Sequence, residues 1–142
     1  MRILVINGPN LNLLGKREPE KYGTLSLWDI ENQLKKKFES VKFEFYQSNV
    51  EGEIVNFLQK AMDGMTDGII LNAGGYTHTS VAIRDAVAAL KVPVIEVHLT
   101  NPHAREEFRH MSLMTGVCKG VIAGFGVLSY ELAVRALTEK SA

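Results

Sequence analysis

Glu96 and His98 stand two residues apart at the end of an apolar run, so in an extended strand their side chains point the same way. A carboxylate beside an imidazole fixes its tautomer and favours its protonated form, which suits a general acid or base. The same spacing also makes an ordinary strand-end salt pair. Two other apolar runs stop on polar residues: residues 3–6 end at Asn7-Gly8-Pro9-Asn10, and residues 68–71 end at Asn72 with His78 close behind. Asn and Gly are also what plain turns use. Arg17 and Tyr22 fall in a charged stretch where either could be solvated, and Arg109 lies three residues after Glu106, a spacing that makes a helical ion pair. His78 and His98 have no clear third ligand, which argues against a zinc site.

The elements needed to bring these residues together can be read from the same sequence. Strands are expected at residues 3–6, 41–47, 68–71, 92–97 and 117–123. Between them, Leu27, Ile30, Leu34 and Phe38 recur at helical spacing behind Ser26, a natural N-cap, and Lys35, Lys36 and Lys37 form the solvated end of that helix. Further helices are expected around Ile54, Val55, Leu58 and Met62, over residues 79–90, and over residues 130–137. Asn101-Pro102 reads as an N-cap followed by proline at the first helical position. Strands alternating with helices, with no hairpin signal, predict an α/β three-layer sandwich around a five-stranded parallel sheet of flavodoxin-like order 2-1-3-4-5. In such a sheet ligands bind beyond the carboxyl ends of the strands, where Asn7, Asn10, Asn72, His78, Glu96 and His98 all fall. The stretch over residues 11–25 is too long for a simple strand-to-helix turn and reads as a lid.

Composition narrows the classes of partner. In 142 residues, 16 Lys and Arg balance 16 Asp and Glu, so no basic excess is present for nucleic acid or an anionic membrane. The length fits a single domain, residues 1–142. A lone cysteine, Cys118, excludes an internal disulfide and fits a reducing compartment; flanked by Gly116-Val117 and Gly120-Val121, it reads as a small buried hydrophobe rather than a reactive thiol. With no signal-peptide pattern and no long apolar run, a cytoplasmic location is expected.

Three blocks together carry a resemblance. They are Asn7-Gly8-Pro9-Asn10-Leu11-Asn12-Leu13-Leu14-Gly15 continued by Arg17-Glu18-Pro19 and Tyr22-Gly23; Asn72-Ala73-Gly74-Gly75-Tyr76-Thr77-His78-Thr79-Ser80 leading to Arg84-Asp85; and the block from Glu96-Val97-His98-Leu99-Thr100-Asn101-Pro102 through Arg105 to Arg109. In order and approximate spacing they strongly resemble the type II 3-dehydroquinate dehydratases. The resemblance implies reversible anti dehydration of 3-dehydroquinate to 3-dehydroshikimate through an enolate, with no metal and no organic cofactor. It implies Tyr22 as the base, Arg17 as its activator, Asn10 at the enolate through a bound water, and His98 as the general acid oriented by Glu96. Asn72 and the backbone N–H groups of Leu99 and Thr100, placed before a helix start, would hold the carboxylate. His78 and Arg109 would grip ring hydroxyls. Asp85 would reach a neighbouring subunit's site in a dodecamer of four trimers.

Two departures from the family pattern are small: Thr100 where serine is frequent, and Met111 where another histidine is common. The competing class is a non-catalytic module of the same fold. A phosphoacceptor receiver needs an acidic cluster after the first strand and an aspartate after the third, where this chain has Asn7, Asn10 and Asn72. A flavodoxin needs a hydroxyl-rich phosphate loop, and Gly8-Pro9-Asn10-Leu11 is not one.

Overall fold

The computed structural model describes residues 1–16 and 18–139, and of Lys21 and Tyr22 the backbone alone. The strands are β1 (Arg2–Asn7), β2 (Lys42–Gln47), β3 (Gly68–Asn72), β4 (Val94–His98) and β5 (Gly120–Ala123). All their pairings are parallel, in the order β2-β1-β3-β4-β5, as the sequence predicts. The helices are a single turn α1 (Pro19–Tyr22), then α2 (Leu27–Lys37), α3 (Glu51–Gln59), α4 (Val81–Ala88) and α5 (Leu128–Thr138). α2 begins where Ser26 and Asp29 form a reciprocal capping box.

The central strands are apolar on both faces because each face is covered by helices. Ile3, Val5, Ile70, Ile95 and Val97 face one layer with Ile30 and Leu34 of α2 and Tyr130, Ala133 and Val134 of α5. Leu4, Ile6, Ile69, Leu71 and Val94 face the other layer with Ile54 and Leu58 of α3 and Ile83 and Val87 of α4. The two-residue strand period therefore decides where each polar strand end points. Asn7 and Asn72 share parity with Val5 and Ile70 and turn toward α5, whereas Glu96 shares parity with Val94 and turns to the opposite layer.

One expectation needs correction. No α-helix crosses between β4 and β5; that stretch holds the three-residue 3-10 turns Pro102–Ala104, Glu107–Arg109 and Thr115–Val117. Asn101 does cap the first, its side chain accepting from the His103 N–H at 3.1 Å. The turns between Pro102 and Arg109 are not extended because that run turns little apolar surface to the core: Phe108 and Met111 are 64% and 73% exposed. Val117 lies in the last of these turns, so β5 starts later than expected.

The ends of β1 and β3 approach so closely that a side chain is excluded. A Cβ on Gly8 would lie 2.4 Å from the Ala73 carbonyl oxygen, and the Gly8 N–H donates to the Asn72 carbonyl at 2.7 Å. Gly74, at φ +58, meets Pro9 from the other side. Gly8→Ala is therefore expected to destabilise the protein by about 1–3 kcal/mol through overpacking against backbone that cannot rotate away. A denaturant-unfolding midpoint equal to that of the unsubstituted protein would contradict this.

Candidate active site

The register of the sheet assembles the rim. Asn7 pairs with Asn72 across β1 and β3, and His98 closes β4 beside Ala123 of β5. Beyond these ends lies a cavity of about 150 Å³ lined, among others, by Asn10, Asn72, His78, His98, Leu99, Thr100 and Arg109. Leu11, Leu13 and Leu14, at the start of the predicted lid, supply an apolar wall.

Each polar lining residue is held by a neighbour. Asn10 occupies the left-handed region at φ 69, which asparagine tolerates better than most side chains, and its N–H donates to Asn49 Oδ1 at 3.0 Å. Asn72 is fixed at both ends of its carboxamide: Oδ1 accepts from the Gly74 N–H at 3.2 Å, and Nδ2 donates to the Tyr130 hydroxyl at 3.0 Å. That hydroxyl donates in turn to Asn7 Oδ1 at 2.5 Å. Burial pushes the Tyr130 phenol above its ordinary value, against a smaller opposing effect of Asn72, so it remains a neutral donor.

His78 and His98 present different faces to the cavity. His78 Nδ1 lies 2.7 Å from the Met111 carbonyl, which can only accept, so Nδ1 carries the hydrogen. His98 Nε2 lies 2.5 Å from Glu96 Oε2. Glu96, with its side chain 2% exposed, also accepts from Ser112 Oγ at 2.8 Å and Thr115 Oγ1 at 2.5 Å. Burial alone would raise the Glu96 pKa, but the hydrogen bonds from His98, Thr115 and Ser112, with attraction to His98, outweigh it and hold the group below the usual carboxylate range. An ionised Glu96 accepts from Nε2–H, which leaves Nδ1 as the His98 nitrogen available to the cavity.

Arg109 reconciles the two readings of its position. Its Nε reaches Glu106 Oε2 at 3.2 Å, and the same residue lines the cavity. Thr100 accepts from Arg105 at 3.4 Å, and Arg105 also lines the cavity. The helix expected after Leu99 and Thr100 is only the short turn Pro102–Ala104, so any anion there would be attracted by nearby N–H groups and guanidinium charge rather than by a helix dipole.

Three predicted residues are not seen among these contacts. Arg17 lies outside the described residues, as does the side chain of Tyr22, whose backbone ends α1. Asp85 is exposed on α4, paired with Arg84 at 2.8 Å, and does not line the cavity. Conversely, Arg105, Ser112, Thr115 and Tyr130 are not singled out by sequence. Arg105 sits inside the block that ends at Arg109 and could have been noticed there; no spacing links the other three to the strand ends they touch. Cys118 is partly buried, and burial, with the charge of Glu96, pushes its thiol up to about 12, the behaviour of an inert side chain. No group of three potential metal ligands occurs among the described residues.

A parallel sheet of this order, with polar side chains gathered at its carboxyl edge, defines a ligand-binding α/β protein of the doubly wound class. Within that class the chain belongs to the dehydroquinase class II family, whose model matches residues 1–138. It is 56% identical over 140 residues to the 3-dehydroquinate dehydratase of an Exiguobacterium species, covering 98% of this chain and 95% of that one. The corresponding protein of Fusobacterium nucleatum is also 56% identical, over 143 residues, with 98% and 97% covered. Among solved structures, the type II dehydroquinase of Butyrivibrio crossotus superposes with a TM-score of 0.94 at 46% identity, covering 98% of each chain.

Proposed function

We propose that the protein catalyses the reversible anti dehydration of 3-dehydroquinate to 3-dehydroshikimate, a step of the shikimate pathway toward aromatic amino acids. The observation that carries this reading is the convergence on one cavity of His98, braced by Glu96, with Asn10, Asn72, His78 and Arg109. The family membership supplies the substrate.

In this scheme Tyr22, activated by Arg17, removes the proton beside the ketone. The electron pair moves onto the carbonyl oxygen as an enolate, which Asn10 stabilises through a water. His98 then gives its Nδ1 proton to the departing hydroxyl, the C–O pair leaves with oxygen as water, and the enolate pair forms the new C=C bond as the ketone is restored. Base and acid act from opposite faces of the ring, which accounts for the anti outcome. Asn72 with the N–H groups of Leu99 and Thr100 holds the carboxylate; His78 and Arg109 hold ring hydroxyls. The loop over residues 11–25 closes over the substrate and excludes water. The scheme calls on no metal and no organic cofactor.

The functional unit in this reading is a dodecamer of four trimers in which Asp85 serves a neighbouring subunit's site. Its support is that Asp85 is exposed and does not line its own cavity, together with Trp28, Phe108 and Phe125, each more than 60% exposed and suited to burial between subunits. A cytoplasmic location is consistent with a single cysteine, and no described helix is long and apolar enough to cross a membrane.

The test is spectrophotometric. Purified protein given 3-dehydroquinate alone should generate an enone absorbing in the near ultraviolet. Well-folded protein that produces no such signal, with or without added divalent metal, overturns the reading.

A further inference from the structure

Glu96 comes from β4, but two of its hydrogen-bond donors come from the turn that follows sixteen to nineteen residues later. Ser112 Oγ accepts the N–H groups of Met114 at 3.0 Å and Thr115 at 3.2 Å. A hydroxyl has two acceptor positions and one proton, so with both acceptor positions filled its proton can only go to Glu96 Oε2. Thr115 Oγ1 faces an ionised carboxylate and therefore donates to Oε1. Oε2 thus receives both Ser112 and His98, and Oε1 receives Thr115, so the carboxylate can neither rotate nor readily take up the Nε2 proton.

We propose that Ser112 and Thr115 are positioning residues for acid catalysis: their hydroxyls lock Glu96 as a fixed acceptor, keep the Nε2 hydrogen on His98, and thereby direct proton delivery through Nδ1 into the cavity. The inference rests on the dehydratase reading and assigns its acid step a support outside the strand-end residues. Both the orientation of the donor and the retention of its Nε2 hydrogen depend on the two hydroxyls. In the step they support, the Nδ1 proton passes to the leaving hydroxyl and the neutral imidazole remains tethered by Nε2–H to Glu96.

Thr115 gives the cleaner test, because Ser112 also caps the local turn. Thr115 is exposed as a residue, and valine keeps its shape while removing the donor. Thr115→Val should lower kcat for 3-dehydroquinate about tenfold, the effect of losing one hydrogen bond to a charged group, with KM changed by less than about twofold. Thr115→Ser, which keeps the hydroxyl, should restore kcat to within about threefold. Exchange of the substrate's α-proton with deuterium, followed by NMR, should continue in Thr115→Val at close to the unsubstituted rate, because that step does not use His98.

Unchanged kcat in Thr115→Val overturns the proposal, and so does a parallel loss of exchange and dehydration, which would mark a general structural role. If valine prevents folding, Thr115→Ala, which leaves only unfilled space at an exposed position, is read by the same two rates. Failure of the unsubstituted protein to turn over 3-dehydroquinate is a separate result that removes the functional reading itself.

Discussion

His98→Ala is expected to lower kcat for 3-dehydroquinate by about 10²- to 10⁴-fold, the range associated with a positioned general acid. Hydroxide is a poor leaving group from carbon, and among the imidazoles that line the cavity only His98 is tied to a buried, ionised carboxylate. His78 is tied through Nδ1 to the Met111 carbonyl, a neutral acceptor, rather than to a carboxylate. Removing the His98 ring leaves Glu96 still held by Ser112 and Thr115, so the fold around the carboxylate should persist. The selective signature is α-proton exchange that continues when dehydration has nearly stopped. A variant that keeps more than about a tenth of normal turnover would remove His98 from the acid role.

Tyr22→Phe should produce the complementary failure. In the proposed scheme the phenol is the base for the first step, so its loss should lower both α-proton exchange and dehydration, by about 10³-fold or more within the range seen for a lost general base. Binding should survive, because Asn72, His78 and Arg109, the substrate contacts of the proposed scheme, still line the cavity. An unperturbed phenol, with a pKa near 10, is ionised in only about one molecule in a thousand at neutral pH. A cation next to it favours the phenolate, and the proposed scheme gives that part to Arg17, so Arg17→Ala should impair the same step. Equilibrium binding of substrate measured by calorimetry, set beside the exchange rate, checks both points. Normal exchange in Tyr22→Phe would transfer the base role to another group. The pair of variants therefore separates proton removal from loss of the hydroxyl.

The support for the acid explains why a weak local signal became a strong site. Two residues at a strand end are equally compatible with a solvated salt pair. Burial distinguishes the alternatives: Glu96 is 1% exposed yet charged, a state that requires several donors. A surface pair would have needed none. The same logic applies to Asn72, whose carboxamide could have been an ordinary turn cap and does accept from Gly74 in that way. Its other end reaches Tyr130, 58 residues away, and that second tie fixes how the group faces the cavity.

The rim was legible because it depends on local periodicity. Apolar runs ending at Asn7, Asn72 and His98 imply strands, the alternation with helices implies a parallel sheet, and a parallel sheet puts every one of those ends on the same edge. The linking elements were less legible. The run after Asn101 carried a good cap and a well-placed proline, yet with Phe108 and Met111 facing solvent there was no burial to extend one turn into a helix.

The amino-acid sequence by itself determined the strand order, the edge that holds the site, the parity that places Glu96 beside His98, and the family. Tertiary structure alone decided that Ser112 and Thr115 close around Glu96, that Tyr130 ties Asn72 to Asn7, and that Asp85 pairs with Arg84 at the surface instead of lining the cavity. The division has a physical cause. Strand and helix patterns are set by neighbours a few residues apart, whereas a buried charge or amide recruits its partners from whichever segment packing brings within hydrogen-bond distance.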